Sequence, residues 1–301
     1  MQTTSLSLQP TAPYSFTHAC TYLATASTAV LDRVGERSYA RAVRLGGHDL
    51  LISITASEEA SSLQLTVSGA SLDEDALEAA VAWVRHTFAL DEDVSAFERL
   101  GAGDPIFGSL IARYPGLRLT LIAEPFEALL WAVIGQQVNI AFARKLRLTL
   151  LELSGREGEF AGERYPLMPM PATVAALDPT VLRARQFSQQ KASYVIGLGA
   201  AVASGALDFA AVAALPPAEA RTYLTGFRGV GRWTAEYLLI RGLGQRDSIP
   251  AADVGLQTVI GRHYGYGRKA TEAEVRGLAE QWLGWRSWAA FYWWFALQRG
   301  D

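Results

Sequence analysis

The chain has 301 residues, half of them apolar, a net charge of -3, and Gly and Pro scattered rather than clustered, which excludes a disordered or fibrous protein and leaves room for two or three compact domains. A single cysteine, Cys20, excludes an intramolecular disulfide, a four-cysteine zinc site and a four-cysteine iron–sulfur cluster, and the four histidines (His18, His48, His86, His263) lack metal-ligand spacing. No Lys or Arg precedes Arg33, and the uncharged run Ala192–Leu207 is short and rich in Gly and Ser, so the chain is expected in the cytoplasm, with neither a secretory leader nor a membrane span.

Charge divides the chain unevenly. Residues 1–115 hold 7 Lys and Arg against 14 Asp and Glu, whereas residues 116–301 hold 20 against 16. Contacts to a polyanion would fall on the second part, although ordinary surface charge explains the asymmetry equally well. The first hundred residues read as mixed α/β. Leu63, Leu65 and Val67 alternate with polar residues at the period of a half-buried strand. Tyr39–Leu45 and Leu50–Thr55, joined by Gly46-Gly47-His48-Asp49, read as a hairpin, and acidic, Ala-rich Asp73–Leu90 as an amphipathic helix. From Pro125 onward the pattern is helical almost throughout: Phe126–Leu153, Pro179–Arg185, Lys191–Ser204, Pro217–Leu224, Arg232–Leu243, Glu272–Gly284 and Trp285–Arg299. The expected fold class is α+β, with a small mixed α/β domain over residues 1–115 and a helical domain over 116–301.

Two helical patterns in the stretch 217–241 are joined by Gly226-Phe227-Arg228-Gly229-Val230-Gly231. Glycines permit positive φ and close approach of a ligand to the backbone. The helix opening at Arg232 offers free N–H groups and a dipole that favour a phosphate. Such groups hold a duplex without reading its sequence. A plain turn between two core helices would look the same. Twenty residues beyond Trp233, Asp253 stands alone in the apolar run Ile249–Leu256, after a Pro and before the next helix, where an Asp is also a good N-cap.

LTGFRGVGRWTAEYLLIRG followed by IPAADVGLQ resembles the helix-hairpin-helix DNA glycosylases, and among them the 3-methyladenine DNA glycosylase II (AlkA) type. The similarity extends to ARYPGLRL, PFEALLWAVIGQQVNIAFARKL, WLGWRSWAAFYWW and, more weakly, PYSF and SYARAV, nearly the whole chain. It implies that Asp253 is the catalytic aspartate, and that Gly229, Gly231 and Thr234 grip DNA phosphates. Trp233, Tyr237 and Trp294 correspond to walls of the base pocket, with Trp293 as the alternative to Trp294. The carbonyls of Thr225, Phe227 and Val230 fall where relatives hold a monovalent cation, so a structural Na+ or K+ is implied there and no other cofactor is required. Gln137 falls at the wedge that fills the gap left by a flipped base. A leucine is usual at that position, so the amide is a departure.

The chemistry suits these residues. Reaction at a stacked base requires extrusion, which a stacking pocket must offset. Six of the eight tryptophans lie after residue 230, and an aromatic face attracts an alkylated, cationic purine. Cleavage of the glycosidic bond builds oxocarbenium charge that one carboxylate stabilises, and a cationic base needs no acid to leave. Glycosylase/lyases of this superfamily carry a Schiff-base lysine after the hairpin; here Trp233 occupies that place. The expectation is a monofunctional, monomeric glycosylase acting on damaged bases in double-stranded DNA. A non-enzymatic DNA-binding module and a bifunctional lyase are the other two readings, and the first leaves Asp253 without a role.

Overall fold

The computed structural model describes residues 1–25, 30–56 and 62–301. Strand β1 (Gln2–Leu8) leads into helix α1 (Phe16–Thr25), then β2 (Arg33–Val34), β3 (Ser38–Leu45), β4 (His48–Ala56) and β5 (Leu63–Gly69). They form one antiparallel sheet of order β1-β5-β4-β3-β2. The expected hairpin is present with a tighter turn. Only Gly46 and Gly47 are unpaired, at φ 55° and 89°, the left-handed pair that matches strand twist, while His48 and Asp49 already pair with Leu45 and Arg44. Leu63, Leu65 and Val67 face the core as their alternation predicts. Helix α2 (Glu74–Thr87), capped by Asp73, covers the sheet with Ala76, Ala80 and Val84.

Helices α3 (Ser95–Leu100) and α4 (Pro105–Arg113) follow, then α5 (Pro125–Ile134) and α6 (Ile140–Ser154). The continuous helix expected over Phe126–Leu153 is therefore two. Gly135 closes α5, Gln137 takes a left-handed φ of 56°, and Asn139 caps α6 by accepting from the Phe142 amide at 2.8 Å. The helical pattern is interrupted again by the hairpin β6 (Glu157–Phe160) and β7 (Glu163–Pro166), turned by Ala161 and Gly162. Its Phe160 and Tyr165 pack on Ala42 and Leu51 of the large sheet.

The remaining helices are α7 (Pro171–Ala175), α8 (Pro179–Ala184), α9 (Gln189–Ala203), α10 (Phe209–Ala214), α11 (Pro217–Thr225), α12 (Arg232–Arg241), α13 (Val254–His263), α14 (Glu272–Ala279) and α15 (Arg286–Arg299). Proline opens α4, α5, α7, α8 and α11, where its missing N–H costs nothing. A short 3-10 turn, Glu280–Trp282, separates α14 from α15, so α14 ends before Trp282, and Trp285 is the N-cap of the last helix rather than part of it. Every residue of α15 from Ser287 to Ala296 is buried, making it the central helix of the core. Phe97 and Phe107, from α3 and α4, pack on its Tyr292.

A buried ionic cluster ties the sheet to α5 and α6. Arg41 on β3 bonds Asp32 at 3.0 Å and Glu127 on α5, which also pairs with Arg147 on α6. Among the described residues no helix is long and apolar enough to cross a membrane, and no group of three or more His, Cys, Asp or Glu is arranged to hold a metal ion.

Candidate active site and nucleic-acid interface

Helix α11 ends at Thr225, and the chain turns back through Gly226–Gly231 into α12. Of the three glycines only Gly229 takes a positive φ, 91°, and a Cβ there would lie 2.5 Å from the Tyr194 ring. Gly231 is extended (φ -83°) and is the N-cap of α12 without any side-chain capping bond. A Cβ on it would meet nothing within 4 Å, so no contact within the protein demands a glycine there. The first N–H groups of α12 thus face an open groove of about 630 Å³ lined by 225–234, Gln136 and Tyr194. Thr234 sits on the first turn of α12 with its side chain turned inward. It is 1% exposed and its hydroxyl accepts from the Gln136 amide at 2.9 Å, which leaves its backbone rather than its side chain for any phosphate.

The same Gln136 nitrogen donates to the Gly229 carbonyl at 2.9 Å, stitching the 135–139 turn to the hairpin. Lys191 adds a bond from its ammonium to the last carbonyl of α5, Ile134, at 2.6 Å, and burial lowers the pKa of that ammonium. Gln137 itself stands exposed at the apex of the turn.

On the other side of this turn lies a pocket of about 310 Å³, lined by Tyr22, Trp131, Trp233, Tyr237, Asp253 and Trp294 among others. Asp253 is both an N-cap and the pocket's carboxylate. Its Oδ1 accepts from the Leu256 amide at 2.8 Å and from Trp294 Nε1 at 3.1 Å, and its Oδ2 accepts from Trp233 Nε1 at 3.0 Å. A Cβ at Gly255 would come 3.2 Å from Oδ1 and 2.9 Å from Leu297, so the glycine leaves the carboxylate room. Tyr237 lies between the two indoles, its ring 5.3 Å from Trp233 and 5.8 Å from Trp294. Burial pushes its phenol well above the usual range.

The pocket thus gathers Asp253, Trp233, Tyr237 and Trp294, and the groove gathers the hairpin residues. Trp293 faces away, fully buried against Phe107, His263 and Tyr264, and is no alternative wall. Three residues escaped the sequence reading: Tyr22 and Trp131 as walls, and Gln136 as a brace. Tyr22 and Trp131 reach the pocket only through tertiary packing of α1 and α5. Sequence also gave no sign that the Trp233 and Trp294 indoles turn their N–H edges to the carboxylate.

Residues 5–123 match the family described as AlkA N-terminal domain, and residues 130–284 the HhH-GPD superfamily base excision DNA repair protein. A DNA-3-methyladenine glycosylase of Bacillus subtilis (strain 168) is 35% identical over 217 residues, 72% of each chain. DNA-3-methyladenine glycosylase 2 of Escherichia coli (strain K12) is 29% identical over 97% of this chain and 96% of its own. The solved 3-methyladenine DNA-glycosylase of Archaeoglobus fulgidus superposes with a TM-score of 0.81 over 98% of both chains, at 24% identity.

Proposed function

Because the chain belongs to the HhH-GPD superfamily of base excision DNA repair proteins and is a DNA glycosylase, we propose that it hydrolyses the N-glycosidic bond of alkylated bases in double-stranded DNA, with Asp253 as its catalytic carboxylate. The observation that carries the reading is the convergence of three N–H donors on the two oxygens of Asp253 at the pocket. They fix the carboxylate in one orientation, so no reorganisation is needed when charge develops on the sugar. A flipped nucleotide in the pocket meets the rings of Trp233, Tyr237 and Trp294, which stack on the base and attract it when alkylation makes it cationic. The cationic base leaves without protonation. Asp253 stabilises the oxocarbenium-like sugar and accepts the proton of the attacking water.

The backbone of Gly229–Thr234 binds a phosphate beside the lesion, and Gln137, at the apex of its turn, fills the vacated space. The carbonyls of Thr225, Phe227 and Val230 suit Na+ or K+, since all three are neutral oxygens and Thr225 ends α11, where the helix dipole favours a cation. The Phe227 carbonyl accepts from the Val230 amide at 3.0 Å and keeps a second lone pair. Bound there, the ion would fix the turn. The protein acts as a monomer and leaves an intact abasic site, since Trp233 stands where a lyase would need its lysine.

On methylated duplex DNA the enzyme is expected to release free base, with strand breaks appearing only after alkali. Borohydride capture of a covalent adduct would overturn the monofunctional reading, and failure to release any methylated base would overturn the substrate class.

A further inference from the structure

We propose that the Tyr22 hydroxyl donates a hydrogen bond to a carbonyl oxygen of the flipped base, so that the pocket favours lesions bearing such an acceptor. The proposal rests on the glycosylase reading above. Tyr22 comes from α1, in the sheet half of the molecule, yet it lines the Asp253 pocket and is buried. Its ring is held against Phe291, at 4.5 Å between centroids, and Phe295, at 6.4 Å.

Arg241 lies one helical turn beyond Tyr237 on α12 and is 2% exposed. Its guanidinium carbon is 4.6 Å from the Tyr22 ring centroid, and Nη1 donates to the Tyr22 hydroxyl. Nε and Nη2 have no hydrogen-bond partner among the described residues. A buried cation with so few partners is costly, and the contact it keeps sets the chemistry of the phenol.

A guanidinium only donates, so the Tyr22 oxygen must accept and its own proton must point elsewhere. Among the described residues the hydroxyl has no other hydrogen-bond partner. Burial raises the Tyr22 phenol above its ordinary pKa, which keeps the proton in place at neutral pH. A bond received from a cation polarises the O–H and strengthens it as a donor. The same cation makes the oxygen a poor partner for an amino group. A guanine-type lesion offers a ring carbonyl, whereas an adenine-type lesion offers an amine at the corresponding edge. Sites built around a buried donor discriminate on this difference, because the mismatched pair leaves polar groups unsatisfied.

The test is an internal competition. Duplex DNA methylated to carry both 7-methylguanine and 3-methyladenine is treated with wild type or Tyr22→Phe, and the two released bases are quantified from the same sample. The ratio of 7-methylguanine to 3-methyladenine is expected to fall about tenfold in the variant. That ratio is independent of how much protein is folded, so a loss of stability does not obscure it. A ratio unchanged within about twofold, or a wild type that releases no 7-methylguanine, would overturn the proposal. A wild type that releases neither base would overturn the glycosylase reading instead.

Discussion

The groove at the hairpin and the pocket at Asp253 are neighbours across the 135–139 turn, but they are assembled in opposite ways. The groove is largely one continuous stretch, 225–234, and it presents backbone groups. The pocket draws on α1, α5, α12, α15 and the loop before α13, and it presents side chains. Backbone donors tolerate almost any residue that keeps the turn, and they bind any phosphate. Side chains gathered from distant elements specify one chemistry, and each is exposed to substitution. An enzyme that must scan all sequences and act on few bases needs both kinds of construction.

The comparison breaks most visibly at Asp253. Asp253→Asn preserves the cap on Leu256 but sets an amide against the indole donors and removes the charge. Single-turnover excision is expected to fall about a thousandfold, with affinity for an abasic duplex within a few-fold of wild type. A loss below about tenfold would mean that the pocket is not the catalytic half.

At the hairpin the expected effect is smaller and of another kind. A Cβ at Gly231 meets no atom within 4 Å and the backbone there is extended, so the fold should survive Gly231→Asp. The added carboxylate opposes a phosphate, and affinity should drop about tenfold for damaged and undamaged duplexes alike. Weakening confined to damaged DNA, measured by titration of matched duplexes, would erase the division of labour between groove and pocket.

The smallest effect belongs to the turn between them. Gln137→Ala is expected to slow excision of a well-paired lesion about threefold and of a mispaired one less, because a mispair is cheaper to unstack. Equal single-turnover rates on the paired substrate would place the gap-filling group elsewhere.

How far each region could be read from sequence follows from the same contrast. The hairpin is local, so Pro217, the spaced glycines and the restart at Arg232 mark it within a residue or two of its observed limits. Asp253 was legible as a cap and, by resemblance, as a catalyst, and it proves to be a cap that also lines the pocket. Tyr22 was illegible, since nothing in α1 signals contact with residues more than 200 positions away. Trp294 was preferred to Trp293 by resemblance alone, because on a helix buried all round periodicity carries no facing information. The burial of the Thr234 side chain was not legible, since its partner Gln136 lies nearly a hundred residues earlier. The break at 135–139 had a signal, Gly135 and Asn139, which the surrounding apolar pattern outweighed.

The buried cluster of Arg41, Asp32, Glu127 and Arg147 bears on how such a protein changes over generations. Two positive and two negative groups balance there, contributed by both halves of the chain. Removing one partner strands a charge away from water at a cost of about 3–5 kcal/mol, whereas exchanging all of them together for apolar groups of matching shape can be neutral. Adjacent members of such a network are not additive. Inherited variation at these four positions is therefore constrained to move as a set, and recombination that joins a sheet half from one lineage to a helical half from another is penalised here.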